Sequence, residues 1–545
     1  GGGDHIMNGA MTLESGYCSF NINNGTSLTI SNVLTGNGSI YLNNGNGTLA
    51  LNGNSPSYMG DVALYTGSVV VNGTMGGTVT SQSATTVAGS GTVGGLVDVS
   101  GALLPGTSGV AGTFHAQGGL TLEGGATVTM DLAPTPGIGG GTNDLVAVTG
   151  DLTVNGNNIT INPLTGTLAT GTYTLFTYTG NLIGSFGTAS TASQSRYGFT
   201  IDTSTAHQVK LIVTGVANVL AWNNGANNGQ WDVQSSFNWT NLTTHAEDQF
   251  FTADIVLLDD RILSAPNPAT NLVIGSGQVV APSVVTNNSS ANYSISGAGK
   301  ISGTASIIKL GSSTLTISNV NDFTGNFTIA AGTVKLDGLT SAAGAPNGTL
   351  TISNGATLAV NLSGNYPAGD AGFGNKPIVV SGTGANGQGA IQFTGGPLYD
   401  DGSTLGLGQN IKLTGNTMFS GAGRFDWGYP GSGTTLSSGG SNYNLTVNVG
   451  GYSEWKDIGI DTNLGNIDLY QTSGSQQTLR IQALGVSLGN PTNVLTLHSN
   501  VLFNIQHGDT TAGDNGYAKV VHILPTAAWQ YQPSGGAGDY RLKTS

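Results

Sequence analysis

Charged residues are scarce in this chain. Of its 545 residues only 8% are Asp, Glu, Lys or Arg, where ordinary globular usage is about 25%. The 14 basic residues form no stripe and the formal charge is −14, which argues against a nucleic-acid partner and against an anionic membrane surface. Cysteine is almost absent: Cys18 stands alone, so no internal disulfide exists, and its roles reduce to a small buried hydrophobe or a bond between chains. Only 16 prolines occur and the glycines keep no three-residue period, which excludes collagen. No apolar run is long enough to span a bilayer as a helix. The start lacks a methionine with a basic and then an apolar region, and the closing Arg541-Leu542-Lys543-Thr544-Ser545 shows no cap. We therefore read the chain as a segment of a longer polypeptide, its signal peptide removed or outside it.

What is present is glycine, 89 residues of it, together with 38% hydrophobic residues. That hydrophobic share is too high and too regularly spaced for a disordered chain; an ordered β architecture punctuated by glycine satisfies both facts. The plainest stretch is Lys309 to Gly338. Within it Thr314–Ser318, Phe327–Ile329 and Thr333–Asp337 alternate apolar and polar, with Asn, Asp or Gly in each gap. Alternation with a period of two, stopped by turn formers, predicts half-buried strands of about five residues. Gly325 and Gly332 fall at the corners, where a positive φ costs glycine little.

The same grammar occurs from Gly47 to Gly73. With one residue skipped after the first strand, Leu49 and Leu51 fall on Leu315 and Ile317, Tyr58 on Phe323, Gly60 on Gly325, Gly67 on Gly332 and Gly73 on Gly338. This is an internal repeat. Lys309, Gly311, Thr314, Leu315, Asn321, Phe323, Thr324, Gly325, Ile329, Ala331, Gly332 and Thr333 resemble the pattern of the autotransporter-associated β-strand repeat. Asn143, Asp144, Leu145, Val148, Gly150, Gly171, Tyr173 and Leu175 also resemble autotransporter passenger segments. A block with Trp222, Trp231 and Trp239, followed by Leu258-Asp259-Asp260, is similar to the module openings of such surface proteins; a local aromatic core is the other reading of the tryptophans.

In order, strands are expected at Ser27–Ser31 and Ser39–Leu42, then the first repeat copy, then short strands from Thr78 to Thr107. Further strands follow at Asn271–Ile274, Gln278–Val280 and Tyr293–Ser296. The expected modules are 1–216, incomplete at its start, 217–338, opened by the tryptophan block, and 339–545, which continues the pattern with longer insertions. The insert from Asp426 to Ser453 reads as a lateral loop or a subunit contact.

A five-residue strand buries too little by itself. Coils stacked about 4.8 Å apart turn each strand into a rung whose main chain pairs above and below. Inward Leu, Val and Ile then form a core column, and outward Thr, Ser and Asn form ladders. The fold class expected is all-β, an elongated right-handed parallel β-helix (β-solenoid) with short Gly/Asn-rich turns and some lateral loops. At about 20 to 25 residues per coil it makes a rod of about 100 Å. A rod with no visible cap exposes strand edges, so self-association into a fibre, a homopolymer, or continuation of a longer chain is expected.

Chemistry-bearing motifs are few. Gly89-Ser90-Gly91-Thr92-Val93-Gly94 matches a dinucleotide fingerprint in form, but a strand follows it rather than a helix. Gly139-Gly140-Gly141-Thr142-Asn143-Asp144 has a faint likeness to calcium-binding coils, and Asp509, Asp514 and Asn515 carry oxygen ligands; turn formation explains both better. Glu247-Asp248, Asp259-Asp260 and Asp400-Asp401 are adjacent carboxylates, which on a strand point to opposite faces. Seven histidines are scattered singly. Asn24-Gly25-Thr26 and Asn444-Leu445-Thr446 are glycosylation triplets of the kind chance supplies in such a composition. No catalytic, cofactor or metal residue is assigned, and no cofactor is expected. The resemblance implies a non-enzymatic protein of the bacterial surface or exterior, structural or adhesive, with glycan or cell-surface contacts. The alternative is a polysaccharide-active β-helix enzyme such as a lyase, which needs clustered acids or calcium beside Arg or Lys.

Overall fold

The computed structural model describes residues 3–191, 195–338, 341–361, 373, 376–395, 410–421, 425–427, 435–455, 459–481, 488–490, 492–507, 520–533 and 540–543. Among these, regular structure consists of strands and three short 3-10 turns. Two compact units divide the chain, Gly1–Ala217 and Asn218–Ser545.

The first unit winds through three sheets of nine, eight and eight strands, one strand per coil on each face. On its first face Thr48–Leu51, Ser68–Val71, Thr86–Gly89 and Ala102–Pro105 pair in parallel, which aligns Leu49, Val69, Val87 and Leu103. All four are fully buried. Each of these side chains thus lies on its counterpart in the next coil. The unit closes differently. Gly198–Asp202 and Gln208–Thr214 form an antiparallel hairpin, and the second of these strands lies antiparallel on Gly171–Tyr178. An antiparallel strand uses the exposed main-chain groups that would otherwise template another chain.

The second unit opens with the tryptophan block. Val219–Trp222 pairs antiparallel with Trp239–Asn241, and that strand with Glu247–Asp248, while Val219–Trp222 also begins the parallel series beside Ile255–Asp259. Trp222, Trp231, Trp239 and Phe250 are buried against each other, with ring centroids 5.0–6.1 Å apart. They form a plug over the first parallel coil. Beyond it, a first face aligns Val256, Val285, Ile307, Phe327, Leu350, Ile378, Ile411, Leu436 and Ile460. A second face aligns Tyr293, Leu315, Val334, Leu358, Ile391, Phe419, Val447, Leu469 and Leu497. Both columns belong to one continuous core that runs past residue 338 without a break. Within the Asp426–Ser453 insert, Thr435–Ser437 and Leu445–Asn448 are rungs rather than loop, and residues 428–434 lie outside the described residues. A third sheet runs through Phe425–Trp427, Tyr452–Trp455, Gln477–Ile481, Val501–His507 and Ala528–Pro533, and its described strands finish in Tyr540–Lys543, antiparallel on Ala528–Pro533, a closing strand that the sequence did not reveal.

The repeat motif is a set of corner fastenings. Asn321 Oδ1 accepts the Ile301 N–H at 2.8 Å while its Nδ2 donates to the Ala342 carbonyl at 3.0 Å, tying three coils through one side chain. Phe323, like Tyr58 in the earlier copy, is fully buried. Gly332 and Gly67 have φ of 68° and 71°, as the turn reading requires. Gly325 is constrained otherwise: a Cβ there would stand 2.3 Å from the Ala305 carbonyl oxygen of the coil below. Lys309 is buried in a column position stacked on Asn287, and its Nζ donates to the Gly311 carbonyl; burial pulls its pKa down to about 8. Asparagines stitch other corners. Asn416, Asn444 and Asn466 each accept, through Oδ1, a backbone N–H one coil further on, at 2.9–3.0 Å.

Candidate functional site

The second face of the second unit carries, on its outer side, a ladder in register. Gln392 stands on Ser420, Ser420 on Asn448 and Asn448 on Tyr470, one residue per rung. Strand alternation dictates this: Ile391, Phe419, Val447 and Leu469 point into the core, so their successors point out. The Gly-rich segment after Pro377–Gly382 does not lie flat. It rises as a lateral loop containing a turn at Ala385–Gly387. The Ala385 N–H donates to Thr357 Oγ1 at 2.8 Å, Thr357 Oγ1 donates to the Gly389 carbonyl at 2.9 Å, and Ser420 Oγ donates to the Gln388 carbonyl.

Between this loop and Tyr470 lies an open groove of about 350 Å³, lined by Gln388, Gln392, Met418, Ser420, Asn448, Tyr470 and Thr472 with Gly387 and Gly421. None of these carries a charge. The Tyr470 hydroxyl donates to Met418 Sδ at 3.5 Å, and burial raises its pKa. Beyond Tyr470, the His498 ring lies 6.4 Å from the tyrosine ring, and His498 Nε2 is 3.4 Å from Asp468 Oδ1. Such a surface can exchange hydrogen bonds with neutral groups and offer a half-buried ring and a thioether to apolar ones. Sequence reading did not find it, because its side chains come from four coils and no local motif joins them. The signal was available only through the register, as polar residues one step past each core position.

The residues singled out in the sequence are structural where they are described. Asp144 is buried: Oδ1 accepts the Gly112 N–H at 2.7 Å and Oδ2 the Asp131 N–H at 2.8 Å, while Asn143 fastens Ala133 and Thr135. Its oxygens are thus spent on the chain, not free for calcium. Burial raises Asp144 to about 8, against the pull of those N–H groups. The folded state therefore holds a proton that the unfolded state loses from about pH 4, and stability falls as pH rises toward 8. Asp144→Asn should flatten that decline in the first unit's thermal unfolding measured between pH 4 and 8.

Asp259 caps the turn Asp260–Ser264 and pairs with Arg261, and Asp260 accepts from Ser289 and Ser290, whose donors lower its pKa. Asp248 accepts from Asn218 and Asn241 at the plug. Gly89–Gly94 spans two rungs, Thr86–Gly89 and Thr92–Val93. Asp400-Asp401 and Asp509, Asp514 and Asn515 lie outside the described residues. Among the described residues no group of three or more His, Cys, Asp or Glu is placed to hold a metal ion, and no helix is long and apolar enough to cross a membrane.

No protein-family model matches the chain. It is 29% identical over 401 residues to the adhesin BmaC autotransporter of Brucella suis biovar 1 (strain 1330), an alignment covering 64% of this chain and 11% of that protein. The chain thus spans about a ninth of the relative's length. In its aligned sequence this chain is similar to an autotransporter adhesin, and its fold is all-β, with parallel strands stacked coil on coil.

Proposed function

We propose that this chain is a non-enzymatic, extracellular segment of a bacterial surface adhesin, a β-solenoid whose work is to hold contact surfaces in fixed order. The observation that carries the proposal is the conjunction of the adhesin similarity with core columns that continue through successive coils. A scaffold of this kind needs no reactive centre; its rungs position outward side chains at about 4.8 Å intervals. Cells displaying the chain should adhere to host-cell monolayers more than cells displaying none, and equal adherence would contradict the adhesive role. The finer reading is that copies associate into fibres that support matrix formation, through pairing at strand edges. Electron microscopy tests it: filaments support it and isolated particles overturn it. Turnover of acidic polysaccharide, with or without calcium, would replace the non-enzymatic reading with that of a lyase.

A further inference from the structure

We propose that the groove on the second face of the second unit binds an uncharged, hydroxyl-rich oligosaccharide. The inference rests on the adhesin reading and names what one surface of the scaffold holds. The groove's volume, about 350 Å³, lies in the range of small-ligand sites, about 300–1,000 Å³. Its polar groups are amides and hydroxyls. Gln392, Ser420 and Asn448 stand on successive rungs, so donors and acceptors repeat along the groove as hydroxyls repeat along a glycan chain. Asn448 is held by one long contact, Nδ2 to Thr472 Oγ1 at 3.4 Å, and its Oδ1 is buried and accepts no bond within the protein. Turning that amide toward a ligand hydroxyl costs the fold little and satisfies an idle acceptor.

Tyr470 supplies the apolar half of the contact. Its ring flanks the groove and its hydroxyl rests on a thioether, a weak acceptor that a sugar oxygen would replace with gain. The aliphatic C–H face of a pyranose fits such a ring, whose face carries partial negative charge. Among the described residues that line the groove none carries a charge, and this favours an uncharged ligand. An acidic sugar would leave its carboxylate desolvated beside neutral amides, with no cation among the described lining residues to pair it. The opposite wall is already held by Thr357 and Ser420, so binding does not have to order the loop first.

The purified full chain is titrated with cellohexaose, xylohexaose and mannohexaose as neutral probes and hexagalacturonate as the acidic one, and reducing ends are counted in the same samples. At least one neutral probe should saturate. Tyr470→Ala and Asn448→Ala should each weaken it by about ten-fold with the far-ultraviolet circular dichroism at the titration temperature unchanged, and Thr328→Ala, on the first face, should leave it as it was. Binding by no neutral probe, equal binding by both groove variants, or a preference for hexagalacturonate overturns the inference. New reducing ends would overturn the non-enzymatic reading, while binding lost in the two variants would still support the groove.

Discussion

Leu315→Asp should destabilise the second unit by more than about 5 kcal/mol, whereas Thr316→Asp, one residue on, should change its stability by about 0.5 kcal/mol or less. Leu315 is fully buried between Tyr293 and Val334 of the adjoining coils. Removing its side chain costs about 2–5 kcal/mol in transfer and cavity terms, and an unpaired carboxylate in that column adds its desolvation. Thr316 points outward, so a carboxylate there stays hydrated. In a stack where each coil contacts mainly its neighbours, the damage centres on the coils holding Tyr293 and Val334. Hydrogen exchange should show lost protection there first, and urea unfolding measures the size. Comparable stability of the two variants would mean that the column does not hold the fold.

Trp239→Ala should cost about 3–5 kcal/mol in the same unit, with Trp239→Phe costing much less. Trp239 is central to the plug, 5.0 Å from Trp222, 5.5 Å from Trp231 and 6.1 Å from Phe250 by ring centroid. Its loss opens a cavity beside Trp222, on the strand that pairs with Ile255–Asp259 at the start of the parallel series. The opened end should also aggregate, since exposed parallel rungs pair with other chains. Urea unfolding followed by circular dichroism, with light scattering at the midpoint, checks both effects. A variant as stable and as soluble as the parent would show that the aromatic block is not what closes this end.

Much of the fold was legible because inward and outward positions alternate along many of the rungs, as in Thr314–Ile317 and Gly332–Asp337. Strands expected at Thr314–Ser318, Phe327–Ile329 and Tyr293–Ser296 appear at Thr314–Ile317, Phe327–Ile329 and Tyr293–Ser296. The expected surface ladders exist, with asparagine at corners rather than only along faces. The parallel stacking of the coils was expected, but the antiparallel closing strands were not legible. A period of two is the same in a parallel rung and an antiparallel cap, so Gln208–Thr214 and Tyr540–Lys543 read as further coils or as nothing. The role of Gly325 was misassigned for a related reason: its limit is a carbonyl in another coil, which no local turn rule registers. The same holds for the groove, whose residues meet only once the register is known.

The stacking itself is open to one direct measurement. In a Cys18→Ser background, pyrene is attached at two introduced cysteines, either Thr316→Cys with Lys335→Cys or Thr316→Cys with Thr328→Cys. Thr316 and Lys335 are register partners on adjacent rungs of the second face, while Thr328, nearer in sequence, belongs to the first face. Strong excimer emission from the 316/335 pair and little from the 316/328 pair is the expected result. The reverse order, or equal emission from both, would contradict the stack of parallel coils.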